Sequence, residues 1–179
     1  MTREVHPPAS WSRENAIRWL RDQRRETLAL VDLLPARART RPGLGGGEWS
    51  PKDLLGHLES WEHHALDALQ AWARDERAPI DVALYRDGIT AVNLKEVRRK
   101  ARRSFPAITS SAAATHEQLC AAIEQMTDER WGAPATSRGR KPLWHRLGQL
   151  LVGAGPFGHD AAHHRSLRAF VHLHRWSAC

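Results

Sequence analysis

The stretch WSPKDLLGHLESWEHHALDALQAWARD, residues 49–75, shows the strongest helical pattern in the chain. Ser50 is a favoured N-cap residue, Pro51 suits the first helical position, and Asp53 can bond back to the cap. A stripe of apolar residues at helical spacing follows: Leu54, Leu58, Trp61, Ala65, Ala68 and Trp72. The stretch therefore predicts a long amphipathic helix with one face in a protein core.

Helical periodicity also predicts the other main elements of the chain. Further helices are predicted from Ser10 or Ser12 to Leu34, over about 89–103 and 107–126, and from Leu143 onwards. Segments rich in glycine, proline and basic residues predict loops at 35–48, 75–88 and 127–142.

The last helical region contains Gly-Ala-Gly-Pro at residues 153–156, which predicts a kinked or interrupted helix. No segment alternates between apolar and polar residues with a period of two. The 179 residues therefore predict a single all-α domain over 1–179, built as a four-helix bundle with long loops.

Composition limits the classes of function. Lys and Arg number 27 against 20 Asp and Glu, a net charge of +7, and the one dense basic cluster is RRKARR at 98–103. This charge fits either a polyanionic partner or a GC-rich coding sequence. No apolar run is long enough to span a bilayer, and the N-terminus lacks signal-peptide features. We expect a cytoplasmic protein without a membrane partner.

Three histidines are candidate metal ligands. His159 and His163 lie four residues apart, so they share one face of a helix and can bind one ion. His57 lies beside the apolar stripe of a different helix, and its addition would give three nitrogen ligands with one open coordination position. The alternative is that His57 only hydrogen-bonds a backbone carbonyl where two helices pack. The residues alone leave both interpretations open.

The remaining histidines have less favourable positions. His164 lies about 100° around the helix from His163 and is not expected to share its face. His64, two turns after His57, could line the same cavity, whereas Glu59 and His63 are expected to point outward. No useful spacing marks five others, which are expected at the surface or rim: His6, His116, His145, His172 and His174.

Four of the aromatic residues are candidates for the wall of a substrate pocket. Trp49 and Trp61 flank His57 in the sequence, and Trp144 and Phe157 belong to the last helical region. Their rings suit a flat or apolar ligand, although core packing explains Trp61 equally well.

The motifs GGEWSPKDLLGHLESWEHH and GHDAAHHRSL together resemble the DinB-like four-helix-bundle superfamily over most of the chain. The segment TDERW, followed by a basic loop and the final histidine helix, is most similar to the DfsB/ClbS-like branch. The resemblance implies a metal site at His57, His159 and His163, with zinc or nickel as the expected divalent ion, and it implies a homodimer. The chain differs from the branch at Asp160 and Ala162, where an aromatic and an acidic residue are frequent.

A three-histidine site implies a defined chemistry. A divalent ion there acts as a Lewis acid and can lower the pKa of bound water to about 7. His64 and Asp160 are the predicted catalytic residues for proton transfer, with Glu59 and Glu62 as further candidates; Asp160 could instead orient a histidine.

The first functional hypothesis is hydrolytic or thiol-dependent opening of a reactive electrophile, with a low-molecular-weight thiol as a second partner. Self-resistance to a natural product or detoxification would be its role. The second hypothesis is a protein that sequesters such a molecule without catalysis. Nucleic-acid binding is the third and least supported hypothesis.

Overall fold

The computed structural model describes residues 11–174, which form seven α-helices and no β-strand. The helices are α1 (Arg13–Asp32), α2 (Pro51–Ala73), α3 (Pro79–Lys100), α4 (Phe105–Glu124), α5 (Asp128–Gly132), α6 (Leu143–Leu150) and α7 (His159–His174). No helix in this part of the chain is long and apolar enough to cross a membrane.

Four of the helices form the bundle. Both α1 and α2 pack against α4 and α7, so the four helices enclose a common core, and α3 packs against α2. The predicted all-α four-helix bundle is therefore confirmed, but its third helix is α4 alone.

The predicted start of α2 is confirmed at the level of hydrogen bonds. The Ser50 side chain accepts from the Asp53 backbone N–H, and the Asp53 side chain accepts from the Ser50 backbone N–H. This capping box satisfies two N–H groups that a helix leaves free. It therefore fixes where α2 begins, two turns before His57.

The prediction of a loop at 75–88 is wrong for most of its length. Helix α3 already begins at Pro79, and Gly88, with φ 75°, bends it. Only Ile80, Val92 and Lys100 of α3 are buried, so its first half has no apolar stripe that could predict a helix there. The predicted helix over about 89–103 corresponds to the second half of α3.

The predicted interruption of the last helical region is confirmed, because α6 ends at Leu150 and α7 begins at His159. Close packing explains the glycines of this connection. A Cβ atom on Gly153 would lie 2.5 Å from the Gly158 carbonyl oxygen and 2.6 Å from Ala162 Cβ. The connection thus fixes the position of the first turn of α7.

A buried polar layer divides the core into two apolar clusters. Along α2, Leu54, Leu55 and Leu58 belong to one cluster, and the buried apolar residues between Trp61 and Trp72 belong to the other. Buried polar side chains lie between the two clusters on every bundle helix: Arg24, Thr27, Glu59, Ser60, Glu62, Thr115, His116, Asp160 and His164. Since buried polar groups must find partners, this layer specifies how the four helices meet.

Candidate metal centre

Helices α2 and α7 bring three histidine side chains together. His57 lies in the second turn of α2, and His159 and His163 occupy the first two turns of α7. One ring nitrogen from each lies within 4.8 Å of the other two, and the Nε2 atoms of His57 and His159 are 3.0 Å apart. The three histidines that the sequence predicts as candidate metal ligands therefore converge at one site.

The three imidazoles fit a divalent metal ion. Two nitrogens that bind one tetrahedral zinc ion at about 2.0–2.1 Å lie about 3.3 Å apart, so His57 and His159 need almost no adjustment. His57 Nδ1 is buried without a protein partner, so His57 makes no hydrogen bond to a backbone carbonyl. This observation disfavours the alternative in which His57 is only a packing residue.

The electrostatic environment keeps the three imidazoles neutral. Burial, reinforced by His159 and His163, lowers the pKa of His57 to about 2. Burial and the neighbouring His163 lower the pKa of His159 to about 4, and burial also lowers the pKa of His163. Neutral imidazoles have free lone pairs at pH 7, which is the state that binds a metal.

Two of the four predicted pocket-wall residues lie at the histidines. The ring centroid of Trp49 is 4.8 Å from that of His57, and the centroid of Trp61 is 5.9 Å from that of His159. A cavity of about 370 Å³ adjoins this cluster, and its lining includes Trp49, His163 and Ser166. The candidate metal centre is thus next to a space that can hold a small molecule.

The other two predicted wall residues lie elsewhere. Phe157 has no exposed surface, and its ring packs against Trp11 and Trp131 at centroid distances of 5.1 and 5.9 Å. Trp144 is half-buried against the same apolar cluster and contacts the His145 ring. Core packing therefore accounts for both residues, and the structure does not place them in the wall of the cavity beside His163.

His64, a predicted catalytic residue, lies on the other flank of Trp61 along α2. The two ring centroids are 5.8 Å apart, and His64 Nε2 is buried without a protein partner. Burial lowers the pKa of His64, so its ring is neutral at pH 7 with a lone pair available, although it is a weaker base than an exposed histidine. It also lines a cavity of about 190 Å³ with Glu96 and Asp67, which differs from the cavity at His163.

Asp160, the other predicted catalytic residue, is held in the buried polar layer. Arg24 donates to its two carboxylate oxygens at 2.9 and 3.1 Å, and Thr27 Oγ1 donates at 2.7 Å. Burial would raise the pKa of Asp160, but Arg24 and Thr27 lower it below its usual value. A carboxylate in this state is a poor proton acceptor; its position next to His159 suits orientation of α7 instead.

The polar layer continues from Arg24 to α2 and α4. Arg24 also pairs with Glu62 at 3.2 Å, and Glu62 lies 2.6 Å from His116 Nδ1. Cys120 Sγ is 3.8 Å from the other ring nitrogen of His116. The expectation that His116 lies at the surface is wrong, because it is buried against these partners.

A second part of the layer joins α2 to α3 and α4. Glu59 pairs with Lys100 at 2.9 Å and accepts a hydrogen bond from Ser111 at 2.7 Å. Lys100 Nζ also donates to the Gly56 carbonyl oxygen at 2.6 Å. The expectation that Glu59 points outward is wrong, since these partners let it lie in the core.

Sequence reasoning did not identify Arg24, Thr27 or Lys100, although each is buried at this level of the bundle. Arg24 occupies a position at helical spacing from Leu20, Thr27 and Val31, on the core face of α1. A charged residue on an apolar stripe was therefore the available signal.

The fold and the three histidines define an all-α bundle with a candidate metal centre between α2 and α7. The chain belongs to the DinB superfamily, whose family model matches residues 19–167. No curated protein sequence matches the chain.

The fold is shared with solved structures of other proteins. The chain is similar to a crystal structure of the colibactin self-resistance protein ClbS in complex with a double-stranded DNA, with a TM-score of 0.69, 13% identity, and coverage of 96% of this chain and 100% of that chain. It is also similar to an uncharacterised protein from Escherichia coli UTI89, with a TM-score of 0.71, 10% identity, and coverage of 92% and 95%. These neighbours agree with the DinB-like, ClbS-like resemblance of the sequence.

Proposed function

We propose that this protein is a metal-dependent enzyme that opens a reactive small electrophile by hydrolysis or with a low-molecular-weight thiol. The proposal rests on one observation, the convergence of three neutral imidazoles from two helices beside a cavity. A role in self-resistance to a natural product, or in detoxification, is supported by the shared fold of ClbS, a colibactin self-resistance protein.

His57, His159 and His163 would hold the divalent ion, with zinc or nickel as the expected metals. Such an ion supplies Lewis-acid chemistry, which polarises a substrate or a water molecule. Trp49 and Trp61 would bind the apolar part of the substrate and limit access of water to the histidines.

Proton transfer is assigned to His64, and helix orientation to Asp160. His64 has a ring nitrogen without a protein partner among the described residues, whereas both oxygens of Asp160 are held by Arg24. Asp160 therefore acts on the site through the position of His159, its neighbour in the chain.

The test is turnover of a panel of epoxides and other strained-ring electrophiles, with and without a small thiol. We expect many turnovers per chain with zinc or nickel present, and a fall of about 100-fold or more for His57→Ala. A matched control is His172→Ala, because His172 is exposed on α7. Turnover that is unchanged in His57→Ala would contradict the proposal.

Sequestration without catalysis is the second candidate function. It is favoured by the state of Asp160, which leaves no free carboxylate from that position to act as a base. In that case each chain would bind about one equivalent of electrophile without converting it, and His57→Ala would retain binding.

Binding of nucleic acid is a third candidate, because the ClbS structure contains a double-stranded DNA and this chain has a net charge of +7. Phosphate contacts predict an affinity that falls steeply with salt. A salt titration with a short DNA duplex measures this dependence directly.

A homodimer is a further proposal, which the resemblance to the DinB-like superfamily implies. Sedimentation of the protein tests it.

A further inference from the structure

A second cavity, of about 590 Å³, lies at the opposite end of α2 from His57. Its lining includes Trp72, the first turns of α3 and the loop 133–142. Trp72 is fifteen residues beyond His57, a distance of about 22 Å along the helix axis. The cavity is therefore separate from the candidate metal centre, and its volume is that of a small-ligand pocket.

The acidic residues that line this cavity already have partners. Asp75 accepts hydrogen bonds from the backbone N–H and the hydroxyl of Ser137. Glu76 pairs with Arg74 at 2.8 Å, and Asp81 pairs with Arg146 at 2.8 Å. The negative charges of Glu76 and Asp81 are thus compensated by arginines, whereas Asp75 is hydrogen-bonded but keeps its charge.

Four basic residues of the lining remain without a carboxylate partner among residues 11–174: Arg77, Arg138, Arg140 and Lys141. Three of them come from one loop and the fourth from the segment between α2 and α3. Because these four cations outnumber Asp75, the one acid of the lining without a basic partner in the described part of the chain, the cavity has a positive potential. Its complement is a ligand with several negative charges.

The loop that bears these cations is held in place by hydrogen bonds. Arg130 donates to the carbonyl oxygens of Pro134 at 2.7 Å and Ala135 at 2.9 Å. Gly139 N donates to the Thr136 carbonyl oxygen at 3.0 Å, which closes a turn that contains Arg138 and directly precedes Arg140. The backbone that carries the cations is therefore already ordered before a ligand binds. This reduces the conformational entropy that is lost on binding.

We propose that this cavity binds a small organic polyphosphate of the nucleoside triphosphate class. Guanidinium groups match phosphate oxygens in pairs, so Arg138 and Arg140 would contact the phosphates with Lys141. Trp72, Leu84 and Ala135 provide the apolar part of the lining for the organic portion. A cavity of this size favours a single small molecule over an extended duplex.

The test is calorimetric titration of the full chain with adenosine triphosphate, with a chelator present so that bound metal makes no contribution. The parent is compared with Arg138→Gln/Arg140→Gln and with Arg98→Gln/Arg102→Gln, a control that removes the same charge from exposed positions. We expect the cavity variant to bind about ten-fold more weakly or worse, the control to stay within about two-fold, and adenosine to show no binding.

Equal affinity of the parent and the cavity variant would overturn this proposal, and so would equal losses in both variants, which would indicate diffuse charge attraction. If a short DNA duplex binds through Arg138 and Arg140 and adenosine triphosphate does not, the loop belongs to a nucleic-acid surface and the proposal is wrong. Circular dichroism of each variant checks that the fold is retained.

Discussion

Asp160 is predicted from the sequence either to transfer a proton or to orient a histidine. Arg24 and Thr27 occupy its oxygens in the buried layer, which favours the second role. The three histidines could be identified from spacing and resemblance, because they lie on two strongly periodic helices. The partners of Asp160 could not, since Arg24 lies 136 residues away in the chain and only tertiary packing joins them.

Substitution Asp160→Asn is expected to lower the free energy of unfolding by about 3 kcal/mol, because it removes one partner of a buried ion pair. Urea denaturation measures the change. The matched control is Asp22→Asn, since Asp22 pairs with Arg25 on the exposed face of α1 and should change stability by less than about 0.5 kcal/mol. Lost activity at unchanged stability would instead indicate that Asp160 is a catalytic base.

The environment of His116 predicts a pH-dependent contribution to stability. Burial would lower its pKa, but Cys120 and Glu62 outweigh burial and Arg24 and raise the pKa to about 9. Because the folded pKa exceeds the unfolded value of about 6.5, the stabilisation is complete below pH 6.5 and is lost as pH rises through 9.

The variant His116→Gln should therefore be less stable than the parent by about 3 kcal/mol at pH 6, and the difference should shrink between pH 6.5 and 9. Urea titrations across this range measure it, with the exposed His172→Gln as control. A difference that grows with pH would show that the folded state keeps His116 neutral.

Among the elements, α2 and α7 were predictable, whereas only the second half of α3 was. The capping residues and apolar stripe of α2 are local in sequence, whereas the first half of α3 buries only Ile80 and has no stripe. Glycine and proline predicted the break before α7, but only the structure shows that Gly153 packs against α7 itself. The position of His159 therefore depends on a connection outside the histidine helix.

Substitution Gly153→Ala is expected to destabilise the protein by about 1–3 kcal/mol, because the new methyl group has no space. It should also weaken metal binding, since α7 must shift. The control is Gly132→Ala, where a Cβ atom meets nothing within 4 Å. Thermal unfolding and zinc titration measure both effects, and equal behaviour of the two variants would contradict this account of the connection.

On the scale of the whole molecule, the polar layer links the four bundle helices between two apolar clusters. Periodicity predicted which helices form a bundle, but not that charged groups cross its centre, because sequence patterns assign buried positions to apolar residues. We propose that the chain is a single domain. Partial unfolding would leave the buried charges of this layer unpaired.

The single domain predicts one cooperative unfolding transition. Tryptophan fluorescence reports mainly on the cluster that contains Trp61, Trp72 and Trp131, and far-ultraviolet circular dichroism reports on all helices. Their urea midpoints should coincide. Two separated midpoints would show that the clusters unfold independently.

The central claim is that three imidazoles from α2 and α7 bind one divalent ion. Its most direct test is elemental analysis of the purified protein after equilibration with zinc or nickel, beside His57→Ala and the control His64→Ala. We expect about one ion per chain in the parent and in His64→Ala, and loss of that ion in His57→Ala. A parent chain without stoichiometric metal, or a His57→Ala variant that retains it, would contradict the claim.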